Sequence, residues 1–191
     1  MTIRKGKTVD TLHPDIERIL ISEEQLLSCV SQMGKDITRD YADTPGIVVV
    51  SVLRGAAIFM ADLVREIELP LEMDYMAISS YGAGTTSSGV INVQKDITTD
   101  IQGKHVIIAE DIIDSGLTLK YTIEHLKEFG AASVEVAALL RKERENQAAV
   151  DARYVGFTIP DAFVVGYGLD YAERYRNLRY LGVLKPQVYG A

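Results

Sequence analysis

Apolar positions follow two rhythms along this chain. The runs "IVVVSVL" (47–53), "HVIIA" (105–109) and "SVEVAALL" (133–140) are nearly unbroken and rich in β-branched residues. That is the pattern of strands buried on both faces of a parallel sheet. Elsewhere the spacing is helical. Leu26, Val30, Met33, Ile37 and Tyr41 follow "SEEQ" (22–25), a capping box with Ser as N-cap and Gln three residues on. A second helix is predicted from about Ala56 to Ile67. A third starts near Thr118, carries Leu119, Ile123, Leu126 and Phe129 on one face, and stops at Gly130. "LEMDYMAIS" (71–79) and "VINVQKDI" (90–97) alternate as strands do, and "ARYVGF" (152–157) and "FVVGY" (163–167) are short strands. "DTPG" (43–46) breaks the chain, and the polar, glycine-rich "SYGAGTTSSG" (80–89) is a loop.

Alternating strands and helices with buried apolar strands define an α/β protein around a parallel sheet flanked by helices. The pattern divides the chain into an N-terminal arm, 1–20, and a single domain, 21–191. In such sheets ligands sit at the carboxyl ends of strands. Three loops fall there: after Leu53, after Ala109, and near Arg141.

Composition narrows the function. Of 191 residues 47% are hydrophobic, enough for one full core. The net charge of −7 argues against broad nucleic-acid or anionic-membrane binding, which needs a basic face. The single cysteine, Cys29, allows no intrachain disulfide and suits a reducing cytosol. The charged N-terminal twenty residues predict neither signal peptide nor transmembrane span, so the expected location is cytoplasmic. His13, His105 and His125 are scattered without metal-ligand spacing and are expected to be structural.

The chemistry concentrates in "VIIAEDIIDSGLTL" (106–119). "DSGLT" (114–118) can form an anion nest at a helix start. Gly116 allows the tight turn, free N–H groups point at the ligand, and Ser115 and Thr118 add hydroxyls. A Walker loop would need Lys where Leu117 stands, together with an upstream Gly that is missing. The nest therefore suits a monophosphate better than a nucleoside triphosphate. Glu110 and Asp111 would repel a free phosphate. They make sense facing ribose hydroxyls or a divalent cation, with Asp114 as base or acceptor at the sugar's reacting end. The bland alternative is a buried strand ending in a solvated acidic loop.

The full stretch resembles the phosphoribosyl-diphosphate (PRPP) signature of type I phosphoribosyltransferases, in detail the bacterial hypoxanthine (hypoxanthine-guanine) enzymes. The likeness runs from about residue 20 to 184. It includes "LRG" (53–55), "SSYG" (79–82), "EDIIDSG" (110–116), "LLRK" (139–142) and "IPDAFVVGYGLDYAERYRN" (159–177). The resemblance implies that family's fold, with a small hood and a mobile lid over 79–89.

It also implies roles. Leu53, Arg54 and Gly55 would form the diphosphate loop, with a cis peptide between Leu53 and Arg54. Ser80 and Tyr81 would close over the diphosphate, and Arg176 would contact it. Glu110 and Asp111 would meet the ribose hydroxyls and Mg²⁺, with Asp170 as a further metal ligand. Ser115, Gly116, Leu117 and Thr118 would cradle the 5′-phosphate. Asp114 would be the catalytic acid–base group near the purine. Lys142 would donate to O6, Phe163 would stack on the base, and the main chain of Val164 would read its edge. The family usually has an acid before this lysine, where this chain has Arg141. The implied reaction moves a phosphoribosyl group from PRPP to a 6-oxopurine, with Mg²⁺, in a homodimer or homotetramer. Three rivals remain: a non-catalytic PRPP-binding regulator, an enzyme for another base, and an α/β binding domain without chemistry.

Overall fold

The computed structural model describes residues 12–80, 91–144 and 150–190. In chain order its elements are β1 (Ile16–Ile21), α1 (Glu23–Asp40), β2 (Ile47–Leu53), α2 (Ala57–Arg65), β3 (Leu71–Ser80), β4 (Ile91–Lys95), β5 (His105–Ile113), α3 (Leu117–Glu128), β6 (Ser133–Lys142), β7 (Tyr154–Ile159), β8 (Val164–Val165), β9 (Leu181–Leu184) and α4 (Pro186–Tyr189). A six-stranded sheet has the order β4-β3-β2-β5-β6-β7, and a three-stranded sheet has the order β1-β9-β8.

In the large sheet β3, β2, β5, β6 and β7 run parallel, and β4 is an antiparallel edge. The continuous apolar runs are its centre. Their alternate residues feed two cores, as the two-residue period of a strand requires. Ile47, Val49, Ile107, Ala109, Ala137 and Leu139 pack with α1 and α2, while Val48, Val50, Val106, Ile108, Val136 and Ala138 pack with α3. Both halves of the capping box form: Ser22 N–H donates to Gln25 Oε1 (2.9 Å) and Gln25 N–H to Ser22 Oγ (3.3 Å). All five apolar positions read for α1 are buried.

The small sheet is the hood, and here the structure departs from the sequence reading. Residues 16–20, assigned to an arm, belong to β1, which pairs antiparallel with β9. The expected strand 163–167 shrinks to Val164–Val165 and joins this hood. β9 was not expected at all. The edge strand expected at 152–157 lies two residues later, at Tyr154–Ile159. Residues 81–90, which hold most of the expected lid, lie outside the described residues.

The β3–β4 edge is fastened by one buried carboxylate. Asp74 accepts the backbone N–H groups of Tyr75 (2.7 Å), Thr98 (2.6 Å) and Thr99 (2.9 Å) and pairs with Lys95 (3.0 Å). Burial pushes its carboxyl up, but the three N–H groups and the ammonium more than offset that and hold it well below the usual range. A group depressed in this way stabilises the fold fully above its unfolded pKa, near 4, and the contribution fades as pH falls below that. Asp74→Ala orphans these donors. It is expected to cost about 2–4 kcal/mol at pH 7, with the gap to wild type narrowing in acid. Urea unfolding at pH 7 and pH 3.5 measures this, and an equal gap at both values would reject the electrostatic account.

Candidate active site

The large sheet aligns three strand ends. Ser51 of β2 pairs with Ala109 of β5, and Glu110 and Ile113 of β5 pair with Ala138 and Arg141 of β6. The loop after Leu53, the acids after Ala109 and Lys142 therefore share one edge. β5 does not stop at Ala109 as expected. It continues to Ile113, so Glu110 and Asp111 are strand residues with fixed direction, not parts of a solvated loop.

Asp111 lies against the loop after β2. A Cβ at Gly55 would come 1.8 Å from Asp111 Oδ2, so only glycine lets this loop close over the carboxylate. The Leu53–Arg54 peptide is cis. The loop is also covered by the hood, because a Cβ at Gly168 would come 2.1 Å from the Gly55 carbonyl oxygen. Burial pushes the Asp111 carboxyl up to about 6. The Ile112 N–H and the Arg176 guanidinium pull it down, and the Asp170 charge pushes it up. Burial, then the charge of Asp111, raises Glu110 well above the ordinary carboxylate range. Two adjacent acids that burial and neighbouring charge push up are favoured in their charged form by a cation or a set of hydroxyl donors.

Asp170 belongs to the same group. Arg176 Nη2 is 2.9 Å from Asp170 Oδ1, and Arg176 Nη1 donates to the Gly168 carbonyl (2.8 Å). Glu173 lies 2.8 Å from Arg54 Nη1 and 3.3 Å from Arg176 Nη2, so one carboxylate spans both expected diphosphate arginines. Its own N–H donates to Asp170 Oδ2 (2.9 Å). Tyr167, at φ 47°, hydrogen-bonds to Asp62 of α2 (2.6 Å) and ties this hood segment to the core.

A second group forms around Lys142, which is nearly buried at 9% exposure. Its ammonium is 3.2 Å from Asp114 Oδ2 and 3.4 Å from Asp161 Oδ1. Arg144 reaches the same acids, Asp114 at 2.5 Å and Asp161 at 2.6 Å. The acid missing beside Lys142 in the sequence is thus supplied from two other loops. Phe163 follows Asp161 by two residues and is 37% exposed. Val164 is buried in β8 and paired with Val183.

Between the two groups α3 begins. Gly116 takes the left-handed conformation (φ 76°) as its N-cap, and the helix starts at Leu117, one residue earlier than expected. Ser115 Oγ accepts the Leu117 N–H at 3.4 Å. The first-turn N–H groups of α3 have no partner within the helix, so they are available to an anion. Ser80 ends β3, while Tyr81 lies outside the described residues.

The structure therefore brings together Leu53, Arg54, Gly55, Glu110, Asp111, Asp170 and Arg176 on one side, and Asp114 and Lys142 on the other, with Phe163 two residues along the chain from their partner Asp161. Arg144, Asp161 and Glu173 were missed. Each is an ordinary charged residue in sequence, and only proximity gives it a role. A concavity of about 1100 Å³ between α1 and β7 is lined by Cys29 and Gly156 and lies away from these groups. Among the described residues, no three His, Cys, Asp or Glu side chains cluster closely enough to hold a metal by themselves. His105 bonds to Ser133 and His125 to Asp96, the structural roles expected of them.

Comparison with known proteins gives the family. Residues 22–172 match the family model of the phosphoribosyl transferase domain. The chain is 52% identical over 175 residues to a hypoxanthine-guanine phosphoribosyltransferase of Bacillus subtilis, covering 92% of this chain and 97% of that protein. It is 48% identical over 180 residues to a bifunctional TilS/HprT protein of Listeria innocua, covering 94% of this chain and 28% of that longer protein. The crystal structure of a hypoxanthine phosphoribosyltransferase from Staphylococcus aureus superposes with a TM-score of 0.89 at 43% identity, covering 96% of this chain and 99% of that one. With a shared fold and matches along nearly its whole length, the chain belongs to the phosphoribosyltransferase family, among the hypoxanthine-guanine phosphoribosyltransferases.

Proposed function

We propose that this chain transfers the 5-phosphoribosyl group from PRPP to N9 of hypoxanthine or guanine, giving the nucleoside monophosphate and diphosphate. The observation that carries this reading is the meeting of Asp114, two residues before a helix N-cap, with the nearly buried Lys142. A buried ammonium can only donate, so it pairs with the O6 acceptor of a 6-oxopurine and meets the 6-amino group of adenine donor to donor.

The 5′-phosphate sits on the 115–118 turn, where N–H groups and the helix dipole favour an anion. Glu110 and Asp111 face the ribose hydroxyls. Arg54, Gly55 and Arg176 hold the diphosphate. Phe163 carries the base, and the main chain of Val164 reads its edge. As the C1′–oxygen bond to diphosphate breaks and the N9–C1′ bond forms, C1′ gains positive character, which the carboxylates of β5 stabilise. Asp114 takes the proton that leaves the purine ring.

The residues fit Mg²⁺. Magnesium takes one or two carboxylates plus substrate oxygens rather than an all-protein cage. The Asp170 charge is close enough to raise the Asp111 carboxyl, so these two can supply the carboxylates. When bound, the ion would neutralise the diphosphate as it departs. The same reading includes a homodimer or homotetramer, taken from the family resemblance, and a cytoplasmic location, taken from the single cysteine and the charged N-terminal residues. No helix among the described residues is long and apolar enough to cross a membrane.

The test is direct. Protein, PRPP and Mg²⁺ are mixed with hypoxanthine, guanine, xanthine or adenine, and monophosphates are separated by chromatography. Conversion of hypoxanthine or guanine, lost on chelation, is expected. Failure with every base would move a non-catalytic PRPP-binding role to first place.

A further inference from the structure

The chain's last helix reaches the site. α4 is only four residues long, but it is well tethered. It continues from β9, and Lys185 donates through its N–H to the Asp15 carbonyl (3.0 Å) and through Nζ to the Pro14 carbonyl (2.6 Å). Val188 and Tyr189 pack on the hood core of Ile16, Val165, Tyr175, Tyr180 and Leu184. From that anchor the Tyr189 ring stacks on Phe163, with centroids 4.8 Å apart and planes 22° apart. Tyr171 meets the Phe163 ring edge-on at 5.5 Å and 87°, and meets Tyr189 at 6.4 Å.

Phe163 is therefore backed on one face and braced at one edge, yet the residue is still 37% exposed. A benzyl side chain beside a two-residue strand has little packing of its own to fix its torsions. Here two rings supply it. A flat ligand gains most from stacking when the platform is already oriented, because ordering a loose ring on binding costs entropy. Phe163 also lies two residues from Asp161, which touches the Lys142 ammonium. A fixed ring plane thus fixes the plane of a stacked base relative to its hydrogen-bond donor.

We propose that Tyr189 is a positioning residue for the purine subsite: it stacks on the rear face of Phe163 and orients that ring for the base. The inference rests on the assignment of Phe163 as the purine's stacking surface. It makes the C-terminal helix part of the purine site, whereas the PRPP side is built from the loop after β2, the end of β5 and the 168–176 segment.

The experiment compares Tyr189→Ala, Tyr189→Phe and Phe163→Ala in steady-state kinetics with hypoxanthine and guanine. Tyr189→Ala is expected to raise the purine KM about 3–10-fold, with the PRPP KM changed less than about 2-fold and kcat nearly unchanged. Tyr189→Phe, which keeps the ring, should restore the wild-type purine KM. An unchanged purine KM in Tyr189→Ala would overturn the proposal, as would an equal rise in both KM values. A lower purine KM would also overturn it, since Tyr189 would then be covering the face that the base needs. Phe163→Ala separates the two levels of the argument. If it leaves the purine KM unchanged, the stacking assignment itself fails. If it raises that KM while Tyr189→Ala does not, only the role of Tyr189 fails. Should Tyr189→Ala melt below the assay temperature, Tyr189→Leu, which keeps apolar bulk on the hood core, carries the same test with a smaller expected rise.

Discussion

Asp114→Asn is expected to lower kcat by about 10–10³-fold, the range spanned by general acid–base and electrostatic contributions. The substitution keeps the shape of the side chain and removes its charge and basicity. In the free protein Asp114 is one of two acids matched by two bases: Lys142 at 3.2 Å and Arg144 at 2.5 Å, with Asp161 as the other acid. An amide oxygen can still accept from Lys142, and Asp161 still pairs with both cations, so the local fold should survive. What disappears is the group able to take the purine's proton. The kcat loss should therefore come with a PRPP KM within about 3-fold of wild type, because an interaction made only in the transition state affects kcat rather than substrate binding. Single-turnover measurement with saturating PRPP and hypoxanthine isolates the chemical step. A rate close to wild type would remove Asp114 from the chemistry and leave it as a partner for Lys142.

The second large effect is expected from a single methyl group. Gly55→Ala places a Cβ 1.8 Å from Asp111 Oδ2, a separation at which either the carboxylate or the loop must move. The loop has little freedom to give, because the Gly55 carbonyl lies directly under Gly168 of the hood. Moving Asp111 disturbs the ribose and metal side of the site, and moving the loop disturbs the Arg54 N–H and guanidinium. Displacement by about 1 Å at a reacting centre costs on the order of 10²-fold, so kcat/KM for PRPP should fall by about that amount. Gly168→Ala, meeting the Gly55 carbonyl from the other side at 2.1 Å, should have the same effect. The atoms these Cβ groups would meet belong to Asp111 and Gly55 on the diphosphate side, so the preference between hypoxanthine and adenine should not change. Retention of kcat/KM within about 3-fold of wild type in Gly55→Ala would show that the close packing of this loop on Asp111 is not needed for PRPP binding or turnover.

Residues differ in how much of their role is visible before folding. The helix after "SEEQ" was legible because a capping box and a helical stripe depend on residues a few positions apart. The central strands were legible for a similar reason, since burial on both faces writes itself as an unbroken apolar run. The site residues Glu110, Asp111, Asp114, Lys142 and Phe163 were marked through the family resemblance together with residue chemistry. Lys142 alone would have passed for a solvated charge at a strand end. The end of β5 was misplaced because two acids look like a loop. Pairing with β6 carries the strand through them to Ile113.

Other features had no local signature. "IERILI" (16–21) and "LGVL" (181–184) are a strand pair only because opposite ends of the chain meet. Arg144 with Asp114 and Asp161, Glu173 with Arg54 and Arg176, and Tyr189 with Phe163 are likewise partners chosen by loops that converge at one sheet edge. The sequence by itself determined the α/β class, the buried strands, the capped first helix and the acid-rich helix start, because each rests on spacing within one element. Only the tertiary structure decided the hood's membership, the carboxylate under Gly55 and the partners of each charge and ring. Those depend on distances between segments, which close packing sets and residue order does not record.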